Sequence, residues 1–315
     1  MKKIIFVLFL IAVPLFAVME TLNMTSGARP MGLADACVAV FNDVSIAQYN
    51  PALFASLREG SLSVTYQDWL DDLNVGVINV AYPLKGIGVI GGGLKYVFLQ
   101  PFKMLDDFGG EEGTLSGDFL YFKAALGRNI MNNLSAGVSL NITYDRLQDY
   151  SFVSGSCDVG GLYSLNLKKD IFNLGFALKN IGLNISRDAE TKQPSLPLLF
   201  ALGSSFYTVV DIHSFMLTVE GDYVTSGRIN LKAGVEYWYN KMFGIRGGYD
   251  YQLSGPGVFK IGGGIRQPVM KLLLIESERW QNLELGIDYS FSPYMAFGDK
   301  AGFTHTISIS LVDRR

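Results

Sequence analysis

The chain has 315 residues and a formal net charge of −3, and charged residues make up only 17% of it. It contains 35 glycines and 16 tyrosines, more than is usual for a soluble globular chain. No basic block is present, so the sequence lacks the charge pattern of a nucleic-acid-binding protein. Cys37 and Cys157 could pair in an oxidising compartment, but two small buried thiols are the favoured interpretation.

The first segment has the order of a secretory signal peptide. Lys2 and Lys3 precede an apolar run over residues 4–16, and the small residue Ala17 follows. This run is shorter than the roughly 20 apolar residues that span a bilayer. We therefore predict a signal peptide at 1–17 that is cleaved near Ala17, with a retained membrane anchor as the alternative.

The next segment, residues 18–58, is rich in glycine and alanine, which allow close contact between backbones. Pro51 removes a backbone donor and restricts Asn50 to extended conformations, so a turn or kink is expected there. The segment also carries apolar side chains that need burial: Leu33, Val38, Val40, Phe41, Ile46, Leu53 and Phe54.

Residues 59–315 alternate between apolar and polar side chains in segments of about ten residues, as strands of a membrane barrel do. Fourteen such segments are predicted, an even number as in single-chain bacterial barrels. They lie near 60–67, 74–82, 87–98, 117–128, 133–144, 153–165, 172–180, 198–207, 214–224, 229–239, 242–252, 257–266, 282–291 and 303–312.

The connections also favour a barrel, because every second one is short, as periplasmic turns are. The short ones are predicted at 83–86, 129–132, 167–170 and 240–241, and the long ones at 99–116 and 181–195. The connection at 267–281 breaks this rule, and extra strand or a short helix is expected there.

We therefore predict an all-β fold, a transmembrane antiparallel β-barrel of about 14 strands in the outer membrane. A soluble sandwich is the alternative, because it would also show alternation. A barrel of this width leaves a lumen unless something fills it. Residues 18–58 are accordingly predicted to be an N-terminal hatch inside the lumen, with a periplasmic arm as the alternative.

The polar faces of predicted strands nine to thirteen place acidic and basic residues side by side in the lumen. Such charges must be paired or hydrated, and structural ion pairs are favoured over a substrate path. The predicted lumen charges are Glu220, Asp222, Lys232, Glu236, Arg246, Asp250, Lys260, Arg266, Glu284 and Asp288.

No motif indicates an enzyme, a metal or a cofactor. The glycine-rich stretches at 88–95 and 257–266 do not open a helix in a βαβ unit, so they do not indicate nucleotide binding. His213 and His305 are isolated, and no nucleophile–His–acid arrangement is visible. The acidic residues at 106–112 lack the spacing of an EF-hand, so a solvated loop is favoured over a calcium site.

The block "GARPMGLADACVAVFNDVSIAQYNPALFA" at 27–55 resembles the FadL-type outer-membrane barrels, and more closely their PorV/PorQ-like branch. Two C-terminal stretches, "GVEYWYNKMFGIRGGYDY" and "GIDYSFSPYMAFGDKAGFTHTISISL", add to the resemblance, which covers most of the mature chain. The positions that match in the first block, and that we expect to form the hatch, are Gly27, Arg29, Gly32, Asp43, Asn50, Pro51 and Ala52.

This resemblance implies a fourteen-strand barrel with a hatch that gates the lumen. It implies transport of hydrophobic small molecules, long-chain fatty acids among them, across the outer membrane and through a lateral opening. PorV-like members instead serve protein secretion, so a secretion partner, or a structural barrel with a closed lumen, is the alternative. The expected partners are outer-membrane lipid, a hydrophobic substrate and, under the alternative, secretion-system proteins.

Overall fold

The computed structural model describes residues 24–69, 73–105, 111–148, 150–185, 196–253, 257–269, 282–295 and 301–314. The predicted signal peptide lies outside these residues, as do Asp106 and Asp107 and most of the predicted connection at 267–281. Among the described residues, no helix has the length and apolar character needed to cross a membrane.

Fourteen antiparallel strands form one closed barrel, because β1 pairs with β14 as well as with β2. The strands are β1 Gly60–Trp69, β2 Leu73–Leu84, β3 Gly88–Leu105, β4 Glu111–Met131, β5 Leu134–Leu147, β6 Tyr150–Leu167, β7 Asp170–Asn184, β8 Leu199–Val210, β9 His213–Val224, β10 Arg228–Tyr239, β11 Phe243–Gln252, β12 Val258–Pro268, β13 Leu283–Met295 and β14 Ala301–Asp313. We call the end of the barrel where β1 begins the lower end, and the end where it finishes the upper end.

The polar face of each strand points inward. On β5, Ser139 and Asn141 are buried, whereas Leu140 and Ile142 are exposed on the outside. An apolar outer surface and a polar interior are the arrangement of a membrane barrel, and a soluble sandwich would have the opposite. The alternation in the sequence therefore predicted both the fold and the direction of each face.

All fourteen predicted strands are present, and all except β11 are longer than predicted. The predicted short turns lie where expected, at 85–87, 132–133, 168–169 and 240–242. The predicted long loop at 99–116 is wrong over most of its length, since β3 continues to Leu105 and β4 begins at Glu111. The pairing of these two strands shifts register between Leu99 and Phe102, which interrupts the period-two pattern that marks a strand.

Residues 24–58, which we call the inner segment, precede β1 and contact inward-facing residues around the barrel. Helix α1, Ala28–Gly32, packs against β12, β13 and β14. Two short 3₁₀-helices follow, at Ile46–Gln48 and Pro51–Ser56, and the second packs against β3, β4, β5 and β6. The apolar side chains of this segment that were predicted to need burial are buried, except for partly exposed Phe41.

The two cysteines lie on opposite sides of the barrel wall. Cys37 is fully buried in the inner segment, and Cys157 pairs with outward-facing Leu140 on the neighbouring strand. Both are free thiols, so the pairing that the sequence left open does not occur. The prediction of a buried thiol is confirmed for Cys37 and is wrong for Cys157, which is only partly buried.

Candidate functional site: the lumen and the inner segment

Inward-facing glycines of the wall let the backbone of the inner segment approach closely. A Cβ atom at Gly160 would lie 2.0 Å from Asn50 Oδ1, and one at Gly137 would lie 2.2 Å from the carbonyl carbon of Pro51. Real Cβ atoms do not make contacts this short, so any larger residue at these positions would displace the segment. The wall is therefore shaped to hold the Asn50–Ala52 turn.

Both the nitrogen and the oxygen of the Asn50 side-chain amide form hydrogen bonds that hold this turn in place. Its Nδ2 atom donates to the carbonyls of Val38 (2.8 Å) and Gly161 (3.0 Å), and its Oδ1 atom accepts from the Ala52 amide (3.0 Å). Asn50 has the extended backbone that the following proline predicts, with φ −147° and ψ 116°. Both Asn50 and Ala52 are fully buried.

The middle of the inner segment is held by hydrogen bonds to β8 and β9. The Val38 amide donates to Glu220 Oε2 (2.7 Å), and the hydroxyls of Thr218 and Ser205 donate to the carbonyls of Ala36 and Ala39 (each 2.7 Å). These three wall residues are buried and point into the lumen. The segment thus follows the inner wall instead of hanging free in the lumen.

Arg29 of α1 anchors the segment to β10. Its Nε and Nη2 atoms donate to the two carboxylate oxygens of Glu236 (2.9 and 2.7 Å), and its Nη1 atom lies 3.3 Å from Asp43 Oδ2. Asp43 also lies 3.7 Å from the Arg266 guanidinium of β12. Burial alone would raise the pKa of Asp43, but Arg29 and Arg266 outweigh it and hold this pKa below its usual value.

A second arginine, Arg246 of β11, extends this ion-pair cluster along the wall. It contacts Glu236 (3.2 Å) and Asp288 (2.7 Å), and its guanidinium lies 5.6 Å from the centre of the Trp238 ring. None of the three Arg246 nitrogens has an aligned hydrogen-bond partner among the described residues, so these contacts are ion pairs only. A Cβ atom on Gly32 would lie 2.7 Å from this side chain, which explains the small residue there.

The inner segment separates two spaces in the lumen. Above it lies a cavity of about 360 Å³, lined from the segment by Asp35, Gln48 and Tyr49. Below it lies a recess of about 40 Å³, lined by Asp43 and by Arg266 of the wall, among others. Among the described residues, the larger of these two spaces is therefore at the upper end, and the inner segment lines its lower side.

The lining of the upper cavity combines apolar and charged side chains. Trp69, Val77, Leu199 and Val258 contribute apolar surface. The charged side chains come from both sides of the barrel and from the inner segment: Asp35, Lys95, Lys123, Lys179, Glu220, Asp222, Arg228, Lys232, Asp250 and Lys260. A space of this kind suits a small molecule that has both an apolar and a polar part.

The predicted lumen charges fall into three groups. Lys232 lies between Glu220 (3.6 Å) and Asp222 (2.5 Å), and Lys260 lies 4.0 Å from Asp250. The second group is the cluster of Glu236, Arg246 and Asp288 described above. The third is at the lower end, where Glu284 pairs with exposed Arg314 (2.7 Å) instead of with another lumen residue; Arg266 lies nearby beside Asp43.

Sequence analysis missed the charged residues of strands β3 to β7. Lys95, Lys123 and Asp158 are buried and point inward, and Lys123 pairs with Asp158 at 2.8 Å. They occupy polar positions in the same alternation that identified the other lumen charges. The period-two pattern of β3, β4 and β6 therefore carries the same signal as that of β9 to β13. No group of three or more potential metal ligands occurs in the part of the chain that the structure describes.

The fold is shared with solved structures that include a transporter and a channel, although no family model and no curated protein matches the sequence. The toluene transporter TodX of Pseudomonas putida aligns with a TM-score of 0.59 at 10% identity, over 93% of this chain and 98% of that chain. The CymD monoaromatic hydrocarbon channel aligns with 0.57 at 10% identity, over 92% and 97%. A FadL homologue of Pseudomonas aeruginosa aligns with 0.53 at 10% identity, over 92% and 98%.

Proposed function

We propose that this chain is an outer-membrane channel that passes hydrophobic small molecules, long-chain fatty acids among them, into the cell. The observation that carries this proposal is the upper cavity. Its volume of about 360 Å³ falls in the range of small-molecule sites, and its floor is a segment that hydrogen bonds and ion pairs hold against the wall. The shared fold with a toluene transporter and a monoaromatic hydrocarbon channel supports a transport function.

In this proposal the inner segment is the hatch. The lower recess holds only about 40 Å³, so a molecule in the upper cavity can proceed only if part of the segment moves. The contacts of Arg29 and Asp43 and the turn at Asn50–Ala52 hold the closed state. Gly27 lies within the same closed arrangement, since a Cβ atom there would be 2.9 Å from Ser45 Cβ.

Uptake of labelled oleate tests the proposal in an outer-membrane host that lacks its own fatty-acid transporter. Cells that carry the assembled chain should take up oleate faster than cells without it. Substitution of Pro51 should change the rate, because Pro51 shapes the turn that fits against Gly137. Uptake that is the same with Pro51 substituted would argue against a gating role for this turn.

A closed barrel that acts through protein partners is the second candidate. The many hydrogen bonds and ion pairs between the inner segment and the wall favour a closed barrel. Movement of the segment would break them, and every lost contact in a buried polar network costs free energy. A PorV-like secretion partner is the form of this candidate that the sequence resemblance suggests. Affinity capture should then yield secretion components or exported cargo, and capture of neither by an assembled barrel would count against it.

A further inference from the structure

Two lysine ammonium groups of the wall reach the inner segment from the upper cavity. Lys95 Nζ of β3 donates to the Met24 carbonyl (2.6 Å), and Lys123 Nζ of β4 donates to the Gln48 carbonyl (3.0 Å). Both side chains are buried, with residue exposures of 6% and 2%. An ammonium group has three donors, so the Lys95 group keeps donors that this carbonyl does not use.

A third ammonium group lies beside these two. Lys179 Nζ of β7 is 5.8 Å from the centre of the Tyr49 ring. Tyr49 follows Gln48 in the chain, and its hydroxyl is 3.1 Å from Oγ1 of Thr25, the residue after Met24. The three lysines, Lys95, Lys123 and Lys179, therefore surround one small patch of the inner segment, and we call them the lysine subsite.

The charge of this subsite is not balanced by the described residues. Asp158 compensates Lys123 at 2.8 Å. Among the described residues, no carboxylate lies within the 4.0 Å ion-pair distance of Lys95 or Lys179. Within the part of the chain that the structure describes, Lys95 and Lys179 therefore lack a carboxylate partner at the edge of a cavity, where an unpaired charge is costly, so an anionic group that pairs with them is favoured.

On the opposite side of the cavity, the charges of the wall strands are balanced. There, three carboxylates face two ammonium groups and one guanidinium: Glu220, Asp222 and Asp250 against Lys232, Lys260 and Arg228. Asp35 of the inner segment adds one carboxylate, which lies 2.7 Å from Lys260 and accepts a hydrogen bond from the Tyr49 hydroxyl (2.5 Å). The positive excess of the cavity therefore lies at β3, β4 and β7, and a negative group that enters the cavity is directed to the lysine subsite.

Apolar surface for the rest of such a molecule lies in the same cavity. Trp69 of β1, Val77 of β2, Leu199 of β8 and Val258 of β12 line it. An amphiphile could thus place its head group among the lysines and its chain against these residues. A neutral hydrocarbon could contact only the apolar residues and would gain nothing from the lysines.

We propose that the lysine subsite binds the anionic head group of an amphiphilic molecule, and that a doubly charged phosphate monoester binds more tightly than a carboxylate. The inference rests on the proposed channel function and narrows its substrate class. A phosphate monoester carries about two negative charges at neutral pH and three strong acceptors, which match the two lysines that lack a carboxylate partner and their free donors.

Three probes with the same carbon chain test this inference: octyl phosphate, octanoate and 1-octanol, measured by calorimetry on the barrel in a non-ionic detergent. The affinity should fall in that order, and only the affinities of the two anions should weaken as salt is added. Lys95→Gln and Lys179→Gln should each weaken octyl phosphate binding by about tenfold or more and leave 1-octanol unchanged. Lys241→Gln, on an exposed turn at the lower end, is the matched control.

Equal affinities for all three probes, or losses in the lysine variants no larger than in Lys241→Gln, would overturn the subsite. Equal affinities for octanoate and octyl phosphate would overturn the preference for a double charge. The salt dependence of the three affinities is measured on the wild-type barrel. It therefore tests the subsite even if a substitution prevents assembly. Oleate uptake without any anion preference would refute only the subsite, whereas no uptake and no probe binding would refute the channel function itself.

Discussion

Arg29 of the inner segment and Glu236 of β10 form a two-point ion pair inside the barrel, with nitrogen–oxygen distances of 2.9 and 2.7 Å. The two residues are separated by 207 positions in the chain, and both are buried. Their contact links the inner segment to the barrel wall. In the proposed channel the segment would have to move, whereas the wall would stay in place. This ion pair is one of several buried contacts that hold the inner segment against the wall.

Replacement of Arg29 by methionine should destabilise the barrel, because it removes the guanidinium nearest to the buried Glu236 and Asp43 carboxylates. Removal of one member of a buried pair typically costs about 3–5 kcal/mol. The free energy of unfolding, measured by urea titration in detergent, should fall by that order. Replacement of both Arg29→Met and Glu236→Leu should cost less than Arg29→Met alone.

The exposed pair of Arg314 and Glu284 is the matched control for this experiment. Half of the Arg314 side chain is solvent-accessible (50%), and a surface ion pair contributes about 1 kcal/mol or less. Arg314→Met should therefore change the unfolding free energy little. An Arg29 variant as stable as the Arg314 variant would contradict the anchoring role of the buried pair.

A methyl group added at Gly160 should displace the Asn50 turn, since it would lie 2.0 Å from Asn50 Oδ1. Cys37, in the same segment, reports on this displacement. Burial and the nearby Asp35 carboxylate raise the pKa of the Cys37 thiol well above its usual value, so maleimide should label the wild-type barrel slowly. Gly160→Ala should speed the labelling by about tenfold or more through local opening.

This labelling experiment is done with Cys157→Ser throughout, so that only Cys37 reacts. Gly76→Ala is the control, because a Cβ atom at Gly76 meets no atom within 4 Å. Heat-modified mobility on gels verifies that both barrels are assembled. Labelling of Gly160→Ala that is no faster than labelling of Gly76→Ala would refute the close fit between the wall and the turn.

The sequence predicted the barrel because a period-two pattern is enforced by two opposite environments, lipid outside and a polar lumen inside. Stretches such as residues 134–147 show this pattern without interruption, and their strands lie where predicted. The prediction failed at 99–116, where a register shift breaks the alternation although the pairing of β3 and β4 continues. Local irregularities of pairing leave no simple periodic signal.

Replacement of Asp35 by asparagine should destabilise the barrel at pH 7 by about 1–3 kcal/mol, because Lys260 (2.7 Å) loses its nearest carboxylate. Burial alone would raise the pKa of Asp35, but Lys260 and Lys232 lower it below its usual value. A lowered pKa means that Asp35 stabilises the fold above about pH 4, its usual pKa, and that this contribution is lost as the pH falls further.

The difference in unfolding free energy between wild type and Asp35→Asn should therefore shrink between pH 7 and pH 3. Urea titrations at the two pH values measure it. A difference that stays constant, or that grows in acid, would contradict the assigned direction of the pKa. Asp43→Asn should follow the same pH dependence, since the pKa of Asp43 is also lowered.

The candidate site was predictable only in part. The residues of strands β9 to β13 could be placed in the lumen from alternation alone, but their partners could not, because contacts such as that of Arg266 with Asp43 depend on the path of the inner segment. The role of wall glycines such as Gly137 was also hidden. A glycine within a strand indicates that another group approaches the backbone closely at that position. Only the three-dimensional structure shows which group this is.

Oleate uptake with and without residues 27–52 tests the central claim most directly. Labelled oleate is supplied to cells that lack their own fatty-acid transporter and carry either the full barrel or the barrel without this part of the inner segment, at equal surface levels. The proposed channel predicts that cells with the full barrel take up oleate faster than the empty host. It also predicts a different uptake rate once residues 27–52 are removed. An assembled full barrel that takes up no more oleate than the empty host would contradict it.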